Sequence, residues 1–355
     1  MRAAPSQVDQ RTGVCEILFE PSTYPPSLFN ELRNYASATH TGCSDSCSQR
    51  SDDSIESKLE LSDRVTKVVG SHSLRFSVDL ERDCVDMDII RFKVDALNVE
   101  VHPNSKSCGH AAAENASQAI SKLCKIQDVV GVVFATGASQ MNTLDSLVNR
   151  QEVCWDKIVG FHLDEYVDLD QDHPASFRKY LRLNLTSRVP IRKFFEIDGN
   201  APDPDSFCLA YAEQLREADP QLCLLGIGEN GHLAFNDPGV ANFQDPCEMK
   251  AALLDSACRK QQAAEGWFRT WEDVPDRALT LTIPTIMHIP KLILSVPGQR
   301  KAEIVRRTFH EAISEQCPAT ILRTHPDATL FLDSESAAQL NLEDGVLSTD
   351  ATRKV

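Results

Sequence analysis

The stretch LCLLGIGENGHLAFNDP (222–238) decides how the chain folds. Its first part, LCLLGIG (222–228), is a continuous apolar run of the kind found in strands buried on both faces of a parallel sheet. Its second part sets Gly226, Gly228 and Gly231 around His232. Glycine permits close backbone approach or positive φ where a side chain would clash, and glycines at this density argue against ordinary packing. Histidine titrates near neutrality and can give or take a proton once an acceptor fixes its tautomer. Asp237 reaches back to it if the intervening AFN segment turns, and Glu229 and Asn230 are nearby alternatives.

Working outward, similar runs recur at ALNVEVH (96–102), VVGVVFA (129–135), KIVGFHL (157–163), KLILSVP (291–297) and ATLFLD (328–333). Helical spacing fills intervals between them, at CGHAAAENASQAISKLCK (108–125), SFCLAYAEQLREA (206–218) and QRKAEIVRRTFHEAIS (299–314). Strand and helix in alternation predict an α/β fold with a Rossmann-like, doubly wound, mainly parallel sheet. Such sheets bind ligands where loops leave the carboxyl ends of strands. The pattern predicts a single catalytic domain over 88–340, with 341–355 as a C-terminal tail. The segment THTGCSDSCSQRSDDSIESKLE (39–60) has too few apolar residues to offset chain entropy. Residues 1–87 therefore read as a poorly ordered N-terminal extension, in which VCEILFEP (14–21) and LRFSVDL (74–80) are at most short strands.

Composition narrows the partners. The 355 residues suit one large domain or two small ones, and a hydrophobic content of 42% is enough for a sizeable core. With 36 basic against 52 acidic residues the net charge is -16, which disfavours nucleic acid and anionic membranes. A small anionic substrate stays open where local donors override the mean field. No run approaches the roughly 18–20 apolar residues of a membrane span, and MRAAPSQVDQRTG has no apolar core of a secretory signal. The 12 cysteines are scattered, without a CxxC pair or a Cys/His cluster at zinc spacing. They read as reduced thiols of a cytoplasmic protein.

Three further strand-end loops carry chemistry-bearing residues. In FATGASQMNTLDSL (134–147), Thr136, Gly137, Ala138 and Ser139 lead from a strand into a helix. Exposed backbone N–H groups and hydroxyls suit a phosphate monoester there, while a tight turn capped by Ser139 is the plain alternative. In GFHLDEYVDLDQDHPASFRKYL (160–181), the adjacent acids Asp164 and Glu165 point different ways, so one can face a cleft as a general base. His162 lies within the strand and reads as structural, and Ser176 reads as a helix cap. In SVPGQRKAEIVRR (295–307), Lys301 sits in the first turn of a helix, where a cation opposes the macrodipole unless an anion lies between. Arg306 and Arg307 read as solvated.

Together, GIGENGHLAFNDP, FATGAS, FHLDEYVDL and VPGQRKA resemble the glucosamine-6-phosphate deaminase (isomerase) family, which shares a superfamily with the 6-phosphogluconolactonases. The resemblance covers roughly residues 90–340. It implies that Asp164 moves a proton between C2 and C1 of an amino sugar phosphate. It further implies that His232 assists ring opening, that Asp237 orients His232, and that residues 136–139 and Lys301 hold phosphate. The implied products are fructose 6-phosphate and ammonia, with no metal or organic cofactor; a homo-oligomer is compatible with it. Three positions depart from the family pattern. Asn230 stands where an aspartate is common, and Asp237 where glutamate is usual. The family's phosphate-binding arginine, expected after LDSACRKQQ (254–262), has no clear counterpart: AAEGWF (263–268) stands there, and Arg259 is not adopted as its substitute. LAFNDP after the histidine favours the deaminase over the lactonase. A sugar-phosphate-binding regulator without turnover is the third reading, motivated by those departures.

Overall fold

The computed structural model describes residues 89–264 and 266–340, together with four short strands nearer the N-terminus. Those strands form two antiparallel pairs, β1 (Gln7–Val8) with β2 (Cys15–Glu16), and β3 (Thr66–Val69) with β4 (His72–Arg75). The rest of the extension, with the segment 39–60, and the tail 341–355 lie outside the described residues. The chain divides into two units, Met1–Leu61 with Leu80–Asp86, and Ser62–Asp79 with Met87–Val355. The second carries everything that follows.

Its centre is a sheet of eight strands: β5 (Ile90–Val94), β6 (Leu97–His102), β7 (Val130–Phe134), β8 (Ile158–His162), β10 (Lys193–Phe195), β11 (Leu222–Leu225), β14 (Lys291–Val296) and β15 (Ala328–Asp333). They lie in the order β10-β8-β7-β11-β14-β15-β6-β5. Every pairing is parallel except β5 with β6. Each apolar run read as a strand from sequence is one, although the run at 222–228 ends its pairing at Leu225 and turns there into loop.

Alternation along the strands builds two cores. Val133, Cys223, Leu225, Leu292, Leu294, Leu330 and Leu332 face one side, while Val132, Phe134, Leu222, Leu224, Ile293 and Phe331 face the other. The first face is covered by α4 (Pro204–Ala218), through Cys208, Tyr211 and Leu215, and by α7 (Ala302–His310), through Ile304 and Val305, and α6 (Ile283–His288) adds Ile283 and Ile286 to the same core. The second is covered by α1 (Ser105–Cys124), through Cys108, Ala112, Ala116 and Ile120, and by α2 (Met141–Val148), through Leu144 and Leu147. Helices on both faces of a parallel sheet make this a doubly wound α/β fold. Caps set two of the helix starts. Asn104 and Ser107 form a capping box for α1, and Asp203 accepts from Asp205 and Ser206 ahead of α4.

A second, antiparallel sheet of three strands joins β12 (Met249–Leu253), β13 (Arg277–Leu281) and β9 (Asp164–Tyr166) in that order. Only Leu163 separates β9 from β8, so the chain passes from the large sheet into the small one without a turn. The small sheet and α5 (Ser256–Ala264) enclose a third core of Tyr166, Leu169, Phe235, Leu254, Cys258, Phe268, Val274 and Ala278. Among the described residues no helix is long and apolar enough to cross a membrane.

Candidate active site

The four loops singled out in the sequence leave the carboxyl ends of β8, β7, β11 and β14, which are consecutive neighbours in the sheet. Sequence order scatters them over residues 134–307, and the topology gathers them at one edge. Contacts confirm the meeting: Gln140 Nε2 donates to the carbonyls of Leu225 and Ser295 at 3.2 Å each, tying the ends of three strands.

In the central loop the imidazole Nδ1 of His232 lies 3.1 Å from Asp237 Oδ1. Asn230 makes no hydrogen bond to the ring. Its Nδ2 donates to the same Asp237 oxygen at 2.7 Å, and its Oδ1 accepts the His232 backbone N–H at 3.0 Å. The amide thus clamps both members of the pair instead of accepting from imidazole as an aspartate substitute would. Glycine at 228 is required by close approach, since a Cβ there would fall within the His232 ring. The Asp237 turn is fixed from below, where Asn236 Nδ2 donates to Leu233 and Leu281 carbonyls at 2.9 and 2.8 Å. Burial alone would raise the Asp237 pKa. The His232 charge and the bonds from His232, Asn230 and Cys258 outweigh it and bring the value down to about 2.

The adjacent acids separate as their alternation requires. Glu165 turns inward, fully buried, and accepts from the backbone N–H groups of Tyr166, Phe177 and Arg178 and from Ser176 Oγ. It thereby holds the start of α3 (Phe177–Leu181), whose N-cap is Ser176. Asp164 points the other way and accepts no hydrogen bond among the described residues. Its burial, with the charges of Glu165 and Asp237, raises its pKa well above the usual carboxylate range. His162 is buried and structural; burial and the Arg178 charge push it down to about 3.

Two glycine-led turns flank the central loop. Gly137 (φ 98°) starts the short 3-10 turn Ala138–Gln140 into α2, and Gly298 (φ 97°) starts Gln299–Lys301 into α7. The first leaves Ala138 exposed and Thr136, Gly137 and Ser139 half-buried, and Tyr180 Oη donates to the Gly137 carbonyl at 2.9 Å. Ser139 caps no helix; its hydroxyl accepts from Gln140 Nε2 at 3.2 Å. Lys301 is half-buried at the end of the second turn. Arg259 is committed elsewhere, donating to the Val274 and Glu272 carbonyls at 2.9 Å each and stacking on Trp271. Arg306 and Arg307 are paired, with Glu303 and Glu311.

Sequence reading missed Cys258, on α5, whose Sγ donates to Asp237 Oδ2 at 3.2 Å. A cysteine inside a helical pattern gives no sign of this; only the antiparallel sheet, itself unread, brings α5 over the loop. Gln140 carried no signal either.

A paired histidine and carboxylate, with a second buried carboxylate and two donor-rich turns, equip this edge for acid–base chemistry on a small anion. The chain belongs to the glucosamine-6-phosphate isomerase/6-phosphogluconolactonase family, whose model matches residues 103–331. A glucosamine-6-phosphate deaminase of Listeria welshimeri is 34% identical over 230 residues, covering 65% of this chain and 96% of the relative. One from an Exiguobacterium species is 35% identical over 206 residues, covering 58% and 79%. The solved structure of a monomeric glucosamine-6-phosphate deaminase is similar at TM-score 0.61 and 30% identity, covering 68% of this chain and 99% of that one. The 6-phosphogluconolactonase of Trypanosoma brucei shares the fold at TM-score 0.57 and 19% identity, covering 68% and 98%.

Proposed function

We propose that the protein converts glucosamine 6-phosphate and water to fructose 6-phosphate and ammonia. The observation that carries this reading is the His232–Asp237 pair set beside Asp164 at one sheet edge, in a chain similar to a deaminase over 65% of its length. The catalytic domain is residues 88–340, and the substrate's phosphate rests on residues 136–139 and Lys301. His232, held through Nδ1 by Asp237, exchanges a proton with the ring oxygen and opens the sugar. Asp164 then takes the C2 proton and returns it at C1 through an enol-type intermediate. A carboxylate whose pKa is raised toward the working pH is the stronger base for that step. Water adds to the resulting imine at C2 and ammonia leaves. Each acid–base step contributes about 10²–10⁴-fold, and fixing the substrate by its phosphate supplies much of the remainder.

The test is turnover of glucosamine 6-phosphate by the purified protein, following ammonia and fructose 6-phosphate together. Equal appearance of the two is expected. Silence here, with turnover of the galactosamine epimer or of 6-phosphogluconolactone, would redirect the assignment. Binding without turnover of any of them would leave a regulator.

A further inference from the structure

The second glycine-led turn holds a second cation. Arg300 precedes Lys301 and lies 55% exposed at the mouth of the site, where its Nη2 meets Glu229 Oε1 at 2.7 Å, with Glu229 29% exposed. The ion pair therefore spans the loop after β14 and the loop that carries His232. Its setting is odd for a purely structural clasp. It places a carboxylate against the turn that carries Lys301. An exposed pair of this kind contributes little to stability, so its partner can be exchanged at little cost. A phosphate offers the guanidinium a doubly charged, bidentate acceptor in place of one carboxylate oxygen. Two other arginines are committed: Arg259 to two carbonyls and Trp271, and Arg178 to Glu165 and Asp198.

We propose that Arg300 is the arginine that binds the substrate's phosphate, and that Glu229 is its resting partner, displaced when phosphate arrives. The inference rests on the reading of residues 136–139 and Lys301 as the phosphate site. It makes Glu229 a competitor of the ligand, so substitution of the two partners has opposite consequences. A clasp that merely joins the loops would make both substitutions act alike.

The experiment compares the full chain with Arg300→Ala and Glu229→Gln, by calorimetric titration with inorganic phosphate and with glucosamine 6-phosphate, and by steady-state KM. Loss of a charge-assisted hydrogen bond weakens binding by about 10- to 100-fold, which is the result expected for Arg300→Ala. Removal of the competing charge tightens binding by about 2- to 5-fold, which is expected for Glu229→Gln. Arg300→Ala with unchanged affinity for both probes, or weakening by both substitutions, overturns the proposal, as does a wild type that binds neither probe. Inorganic phosphate separates this inference from the assigned reaction. If the wild type turns over no amino sugar phosphate yet the two variants still shift phosphate affinity in opposite directions, only the reaction is wrong. If turnover is normal and Arg300→Ala leaves KM unmoved, only the role of Arg300 is wrong.

Discussion

Asp237→Asn probes the joint on which the site turns. The carboxylate is 4% exposed and takes three donors: His232 Nδ1 at 3.1 Å, Asn230 Nδ2 at 2.7 Å and Cys258 Sγ at 3.2 Å. The fall of its pKa from 3.8 to about 2 corresponds to about 2 kcal/mol in favour of the ionised form, at about 1.4 kcal/mol per pH unit. A depressed folded-state pKa stabilises the fold above the unfolded value near 4, and that stabilisation is lost as pH falls toward 2. The amide keeps the shape, but it carries no charge and turns an NH2 toward groups that are themselves donors. Urea unfolding at pH 7 should find the variant less stable by about 2 kcal/mol or more. The gap should hold from pH 7 to about 5 and narrow from about 4 down toward 2, where Asp237 of the unfolded chain takes up its proton before the folded one does. Turnover at pH 7 should drop by about 10²-fold or more, as His232 loses its charged partner. A variant as stable as the wild type at pH 7, or a gap that does not change between pH 5 and pH 3, would refute the account of how the carboxylate is held.

Other substitutions separate chemistry from scaffold. Gly228→Ala should abolish turnover while circular dichroism stays native, because the added Cβ displaces the imidazole and not the sheet. Asp164→Asn should also abolish turnover, yet unfold at higher urea than the wild type at pH 7 and above. Its raised pKa means that ionisation of the folded protein costs stability as pH rises, and the amide removes that cost. Glu165→Gln should instead lower the melting temperature although burial raises its pKa too, since the amide turns an NH2 toward the backbone and Ser176 donors that anchor α3.

The parallel sheet was legible because its strands are buried on both faces and so read as unbroken apolar runs, as VGVVF in β7 and LCLL in β11 show. The antiparallel sheet was not. Its β9 is the acid-bearing segment DEY, whose burial depends on partners about a hundred residues away, at Ala278, Leu279 and Thr280. The same holds for β10, a strand of three residues that pairs only by virtue of β8 beside it. In the site, His232 and Asp237 were legible because glycines and a short turn bring them together locally. The part of Asn230 was misjudged: the backbone N–H of His232 claims its oxygen, leaving only the NH2 to meet Asp237. Cys258 was invisible because its approach to Asp237 depends on tertiary packing of α5 alone.

That packing explains why the His232–Asp237 pair and Asp164 hold one geometry although they come from different strands. Tyr166 follows the two acids, and Phe235 comes two residues before Asp237. Their rings meet at 5.1 Å, and Phe177, at the start of α3, stacks on Phe235 at 5.8 Å. Phe235 also donates its backbone N–H to Thr280, the residue opposite Asp164 in the ladder of β9 and β13. The Asp164 strand and the Asp237 turn are therefore fastened to the same small core, from below and from the side. Such a core must stay dry and closely packed to fix both acids, which is why the small sheet and α5 wall it off from the large one. The large sheet gathers the loops, and the small core sets the positions of their acids.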